Sequence, residues 1–329
     1  MNIGLYSDQR KELMGLAALL IIVCHMPAHG VAMPALVAKA LQYGGLGVDI
    51  FLFLSGLGIY RSLTQHTTGG QHLGTWYARR LARVYIPWLL FAIPFYLIID
   101  GANKHIADYL MTWSCAQFWV DGNGLWFVAL LVPLYLLSPL LMKVCQCRRK
   151  WWYVGLLVGV SWLLGSASGL EGSIEHIRFG VCRMPCYFLG FAMAEDILNR
   201  KPYPARLYMG SILLILALAL AVRFALHIKL SLFWVQGMLL LIVCSYLLQV
   251  LKWAALHRCF DFMGSLSLES YFTNVCLLIQ FKEINHYASG IDVAWGGYWA
   301  YYIIGTLCCL ALSWFIYRVS QYILRLIHL

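Results

Sequence analysis

His25 lies near the end of the apolar run LMGLAALLIIVCHMPA (13–28), and Asp49 lies inside a second, GGLGVDIFLFLSG (44–56). An imidazole and a carboxylate are the pair a proton-transfer site needs. The ring takes a proton from an attacking group, and the carboxylate orients the ring and stabilises the imidazolium. A charged group at a helix centre in a membrane costs about 2.5–3.5 kcal/mol on insertion scales, so such groups face a protein interior, where they do chemistry, couple ion movement or pack. His25 therefore reads as a general base or a nucleophile, with a neutral, hydrogen-bonded bundle histidine as the plainer alternative. Asp49 follows Gly44, Gly45 and Gly47 and reads either as the partner of the ring or as a helix-capping carboxylate. His29 is a weaker rival one turn beyond His25.

The basic residues supply a second kind of chemistry. Arg10 precedes His25 by fifteen residues, which leaves the two about 60° apart around a helix. It reads as a group that tunes the ring or as a topology-setting charge. WYARRLARVYIP (76–87) holds Arg79, Arg80 and Arg83 within one turn of one another. Three guanidiniums on a short helix make a bidentate phosphate site, or a stop at a lipid headgroup layer. Trp126 and Arg183 each begin a span from the opposite side, where an arginine steadies a developing oxyanion or snorkels. In MGSLSLESYFTN (263–274), Ser267, Tyr271 and Asn274 share a helix face, and Glu269 is a carboxylate with no obvious partner. Small and polar residues there also suit helix packing.

The elements that must carry these groups are membrane helices. The chain of 329 residues is 62% hydrophobic and only 12% charged, which excludes a soluble domain of useful size. Ten stretches have the ~17–25 residues that a bilayer crossing requires: 12–30, 46–62, 84–100, 125–142, 151–169, 181–197, 206–226, 231–250, 264–281 and 298–317. Charges alternate between the connecting segments. One side holds 17 of the 24 basic residues: Arg10, Lys11; Arg61, Arg79, Arg80, Arg83; Lys143, Arg148, Arg149, Lys150; Arg200, Lys201, Arg206; Lys252, Arg258; Arg318, Arg325. The other side mixes seven basic residues with carboxylates such as Asp108, Asp121, Glu171 and Asp292. The positive-inside rule then places both termini in the cytoplasm. The net charge of +10 is spent on this topology and does not point to nucleic acid. The first span reads as retained rather than cleaved, since no small-residue cleavage site follows it. Cys145 and Cys147 lack a second pair at zinc spacing, so no metal site is expected.

Taken in order, RKELMGLAALLIIVCH (10–25), GVDIFLFLSG (47–56), RRLARVYIP (79–87), LWFVALLVPLYLLSPLL (125–141), RMPCYFLG (183–190) and MGSLSLESYFTN (263–274) resemble the acyltransferase-3 family of bacterial integral membrane enzymes. The resemblance implies an all-α integral membrane protein, a bundle of about ten transmembrane helices forming one domain over 1–329. It implies acyl transfer, commonly of acetyl, from cytoplasmic acyl-coenzyme A to a hydroxyl of a cell-envelope glycan, at the bacterial inner membrane. His25 matches the family's essential histidine, Arg80 and Arg83 its RxxR motif, and Phe51 with Ser55 and Gly56 its FFxxSG motif, in which Leu52 replaces the second phenylalanine. Met14 stands where the family commonly has a basic residue, and its role passes to Arg10. Asn274 stands where many relatives have histidine.

The resulting expectation has His25, Asp49 and Arg10 at the reacting centre, and Arg79, Arg80, Arg83 and Ser55 on the acyl-coenzyme A. Trp126, Arg183, Glu269 and Asn274 would meet a free or lipid-linked glycan acceptor. Membrane lipids surround the bundle, with neither metal nor nucleic acid involved. The alternative is a proton-coupled transporter of a glycan or small anion that uses His25 and Asp49 as a relay. A non-catalytic bundle partner of an envelope assembly is a third reading.

Overall fold

Apolar runs of this length leave the backbone no water to bond in lipid, so each must satisfy its own amides as helix. The computed structural model describes residues 3–70, 72–101, 103–166, 175–202, 205–226, 230–289 and 299–327, and its elements are helices throughout. The main ones are α1 (Arg10–His25), α2 (Gly47–Thr68), α3 (Leu73–Ile99), α4 (Trp126–Gln146), α5 (Lys150–Ser166) and α6 (Met184–Ala192). They continue with α7 (Ala205–Leu226), α8 (Phe233–Val250), α9 (Ala254–Ser265), α10 (Ser267–Ser289) and α11 (Trp299–Leu326). Glu171, Lys229 and Asp292, and the span ends at 167–169 and 298, lie outside the described residues.

Among the described residues five stretches are long and apolar enough to cross a membrane: Ala35–Thr68, Leu73–Ile99, Trp126–Gln146, Phe233–Val250 and Trp299–Leu326. Of the other expected spans, 206–226 coincides with α7, of 22 residues, most of 264–281 lies on α10, of 23, and the rest fall on helices that are shorter or interrupted. α1 has 16 residues and α5 has 17. The segment expected at 181–197 breaks at Met193, where α6 gives way to a short helix, Ala194–Leu198. The segment expected at 264–281 breaks at Leu266, between α9 and α10.

α2 is the axis of the bundle. Its apolar window is 78% buried, against 28% for α3 and α11, which leave most of their surface exposed. Lipid is as apolar as leucine, so these helices associate through close packing, and small residues set how close they come. Gly56 of α2 lies against the Tyr187 carbonyl of α6, and Gly190 of α6 lies against the Phe53 carbonyl of α2. A methyl at either position would overlap backbone. Gly15 and Gly264 do the same for α1 and α9, against the Phe260 and Lys11 carbonyls.

One polar clasp joins α1 to α9. His257 Nδ1 meets Glu12 Oε2 at 2.7 Å, and its Nε2 meets the Leu251 carbonyl at 2.5 Å. A carboxylate and a carbonyl only accept, so both ring nitrogens carry protons and the ring is an imidazolium. These two bonds, the one to Glu12 first, raise the pKa of His257 above its ordinary value.

Candidate active site

A cavity of about 380 Å³ lies where α1, α2, α3, α4 and α10 converge. Phe51, Ser55, Gly58, Ser62 and Gln65 line it from α2 at spacings of four, three, four and three residues, which is one helix face. Phe127, Leu131 and Tyr135 form the matching stripe of α4. Arg10 and Met14 enter from α1, Arg80 and Arg83 from α3, and Arg61 from the edge of the α2 face. Four guanidiniums thus share a cavity whose described lining has no carboxylate. A low-dielectric wall around like charges concentrates a positive field, and an anion is what relieves it.

The arginines are held in place. Arg10 Nε donates to the Leu54 carbonyl at 3.0 Å, and its guanidinium lies close against Gly58. Arg80 donates to Ser62 Oγ, which also accepts the Trp76 indole N–H at 3.0 Å. Met14 touches the same cavity one turn beyond Arg10, so Arg10 delivers a guanidinium to the space that residue 14 faces. Arg79, one turn before Arg83, is not among the residues that line the cavity.

His25 stands at the other end of α1, about 20 Å from Arg10 along the helix axis. It lines a separate, narrow pocket of about 10 Å³ with Phe51, Ser267, Ser270, Tyr271, Asn274 and Tyr302 among others. Phe51 and Ser267 belong to both cavities, so they form the wall between the arginines and the imidazole. Phe51 packs on Phe127 with ring centroids 5.9 Å apart, and Phe127 on Tyr271 at 5.4 Å. The His25 ring lies edge-on to His29 at 6.5 Å, and has no hydrogen-bond partner among the described residues. A histidine kept only for packing would be satisfied by a neighbour. This one is left available. The Tyr302 hydroxyl, beside it, is committed as donor to the Ile22 carbonyl.

Asp49 does not serve His25. Two residues from Phe51 is about 200° around a helix, so Asp49 faces away from the cavity stripe. Its Oδ2 takes Arg183 Nη1 at 2.5 Å, with both side chains buried. Arg183 also donates to the Gly45 carbonyl at 3.3 Å. Its guanidinium sits over Phe233 at 4.3 Å, Phe179 at 4.8 Å and Trp126 at 5.6 Å from the ring centroids. The expectation that Arg183 and Trp126 face an acceptor is corrected accordingly. Arg183 is a buried, caged cation that fixes the start of α2 to α6, and Trp126 is one wall of the cage. Glu269 lines neither cavity; it sits in the first turn of α10, where the helix dipole favours a carboxylate. Ser55 lines the arginine cavity, and Asn274 the His25 pocket. Sequence reasoning gave Arg61 and Tyr135 no part in the site. Arg61 lies three residues from Gly58 and four from Gln65, which places it beside the α2 stripe.

The acyltransferase-3 family's profile, described as an acyltransferase domain, matches residues 13–318. The chain belongs to that family. It is accordingly a multi-pass membrane acyltransferase, and both cavities lie within the matched region apart from Arg10. No curated protein and no solved structure matches the chain.

Proposed function

We propose that this acyltransferase moves an acyl group, acetyl in the simplest case, from cytoplasmic acyl-coenzyme A to a hydroxyl of a cell-envelope glycan, free or lipid-linked. In this reading the chain crosses the bacterial inner membrane ten times, with both termini in the cytoplasm. The observation that carries it is the pairing of an arginine-lined cavity, whose described lining has no carboxylate, with a histidine that has no hydrogen bond among the described residues, behind one shared wall. Coenzyme A carries its phosphates at one end and its thioester at the end of a long flexible arm. Arg10, Arg61, Arg80 and Arg83 take the phosphates. The arm passes Phe51 and Ser267 and presents the thioester to His25.

His25 then removes the proton of the acceptor hydroxyl as the oxygen attacks the thioester carbonyl. The new C–O bond forms, the C–S bond breaks, and the imidazolium returns the proton to the departing thiolate. An equivalent route acylates His25 first, releasing the thiol, and passes the acyl group to the hydroxyl in a second step. The two differ in kinetics: only the second gives labelled protein and ping-pong behaviour.

The phosphate site is tested by titrating coenzyme A into the purified protein and an Arg80→Ala/Arg83→Ala variant. Removing two charge-assisted contacts of about 1.5–3 kcal/mol each weakens binding at least a hundredfold. Equal affinity in the two proteins removes the site.

A further inference from the structure

A base that takes a proton with one ring nitrogen must hold a proton on the other, and something must fix which is which. The carboxylate expected for that task, Asp49, is committed to Arg183. Among the described residues that line the pocket around His25, one side-chain polar atom is fully buried without a hydrogen bond, and it is an acceptor on Asn274. Asn274 is buried at 5% exposure, and its Nδ2 donates to the Ser270 carbonyl at 2.8 Å. A carbonyl can only accept, so this bond fixes the amide's orientation and turns Oδ1 the other way. Oδ1 is fully buried and makes no hydrogen bond with the described residues. An unpaired amide oxygen at that depth costs about 1–3 kcal/mol, and a packing residue would not sustain it.

We infer that Asn274 is the positioning residue of His25: across one water in the pocket they share, its Oδ1 accepts the ring's N–H and holds the imidazole in the tautomer whose other nitrogen is the base. The inference rests on the acyl-transfer reading for its catalytic consequence, but not for the pairing itself. His25 and Asn274 line the same pocket, whose volume of about 10 Å³ holds nothing larger than a single water. Ser267, Ser270, Tyr271 and Tyr302 line it as well; the Ser270 hydroxyl donates to the Ser267 carbonyl and the Tyr302 hydroxyl to the Ile22 carbonyl, and none of the four hydroxyls is a fully buried polar atom left without a hydrogen bond, as Asn274 Oδ1 is. The arrangement does with a neutral amide what a triad does with a carboxylate, and avoids placing a second charge at membrane depth.

The test is nitrogen NMR of the full chain in nanodiscs with ¹⁵N-labelled histidine. The chain has 10 histidines, and His25→Gln identifies the His25 signals by their loss. The wild type shows one neutral tautomer of His25. Asn274→Leu, near in volume but without the acceptor, shows both tautomers, and Asn274→Asp, which keeps the acceptor, shows one. Should Asn274→Leu not fold, Asn274→Ala carries the same expectation. Mixed tautomers in the wild type, or an unchanged tautomer in the Leu or Ala variant, overturns the pairing. Acyl-transfer kinetics on the same proteins give kcat about 10²-fold lower for Asn274→Leu with the donor KM unchanged, the signature of an impaired base. If the wild type transfers no acyl group, the proposed function fails while the tautomer result still decides the pairing.

Discussion

Gly58 is the position where a single methyl separates stability from donor binding. The Arg10 guanidinium lies directly on it: a methyl at residue 58 would stand 2.6 Å from Nη2, 3.0 Å from Cζ and 3.2 Å from Nε. Ordinary contact needs about 3.5–4.0 Å, so Gly58→Ala pushes the guanidinium outward by about 1 Å. The side chain is flexible and can swing, so the backbone need not move. Loss of the Arg10 bond to the Leu54 carbonyl costs about 1.5–3 kcal/mol, and replacing a mid-helix glycine by alanine returns about 1 kcal/mol. Net stability falls by about 2 kcal/mol or less. A displaced Arg10 also forfeits its phosphate contact, of about 1.5–3 kcal/mol, so coenzyme A affinity falls about ten- to hundredfold. The assay is calorimetric titration of coenzyme A into Gly58→Ala, Arg10→Ala and the double variant. Both singles weaken binding, and the double is no weaker than Arg10→Ala, because the methyl acts only through Arg10. Gly56→Ala is the contrast: its methyl meets the rigid Tyr187 carbonyl of α6, and the loss is of folded protein. Wild-type affinity in Gly58→Ala together with wild-type affinity in Arg10→Ala would refute the place of Arg10 in the phosphate site.

Two further expectations concern the framework. Asp49→Ala or Arg183→Met alone strands one buried charge and costs about 3–5 kcal/mol of stability, whereas the double variant loses less than the sum; additive losses in detergent unfolding would dissolve the pair. The His257–Glu12 clasp makes stability depend on pH. Its folded-state pKa is raised, so its contribution is complete below the unfolded histidine value of about 6.5 and is lost as pH rises through the higher folded value. A thermal-midpoint series across neutral pH should therefore slope downward more steeply in the wild type than in His257→Gln, and parallel curves would remove the clasp.

The chemistry-bearing residues were legible in the sequence where type and local spacing agree. His25 stands out because an imidazole in an apolar run is rare, and Arg80 with Arg83 because they share one helix face. The α2 stripe at 51, 55, 58, 62 and 65 was equally local, but its members are small or apolar and carry no chemical label. Arg61 was therefore counted toward topology alone. The Asp49–Arg183 pair was not legible, since 134 residues separate its partners and only the packing of α2 on α6 joins them. Without it, Asp49 is simply the first carboxylate that follows His25 in the sequence. The break at Leu266 lies inside the span expected at 264–281, where the sequence reads as one continuous helix. It sets Ser267 at the wall between the cavities.

The central claim is that His25 carries out acyl transfer fed from the arginine cavity. The direct measurement is incubation of membranes holding equal, folded amounts of wild type or His25→Ala with acetyl-labelled coenzyme A and an envelope extract. Label in a glycan fraction with wild type and its absence with His25→Ala is the expected result. Equal label with both proteins would contradict it.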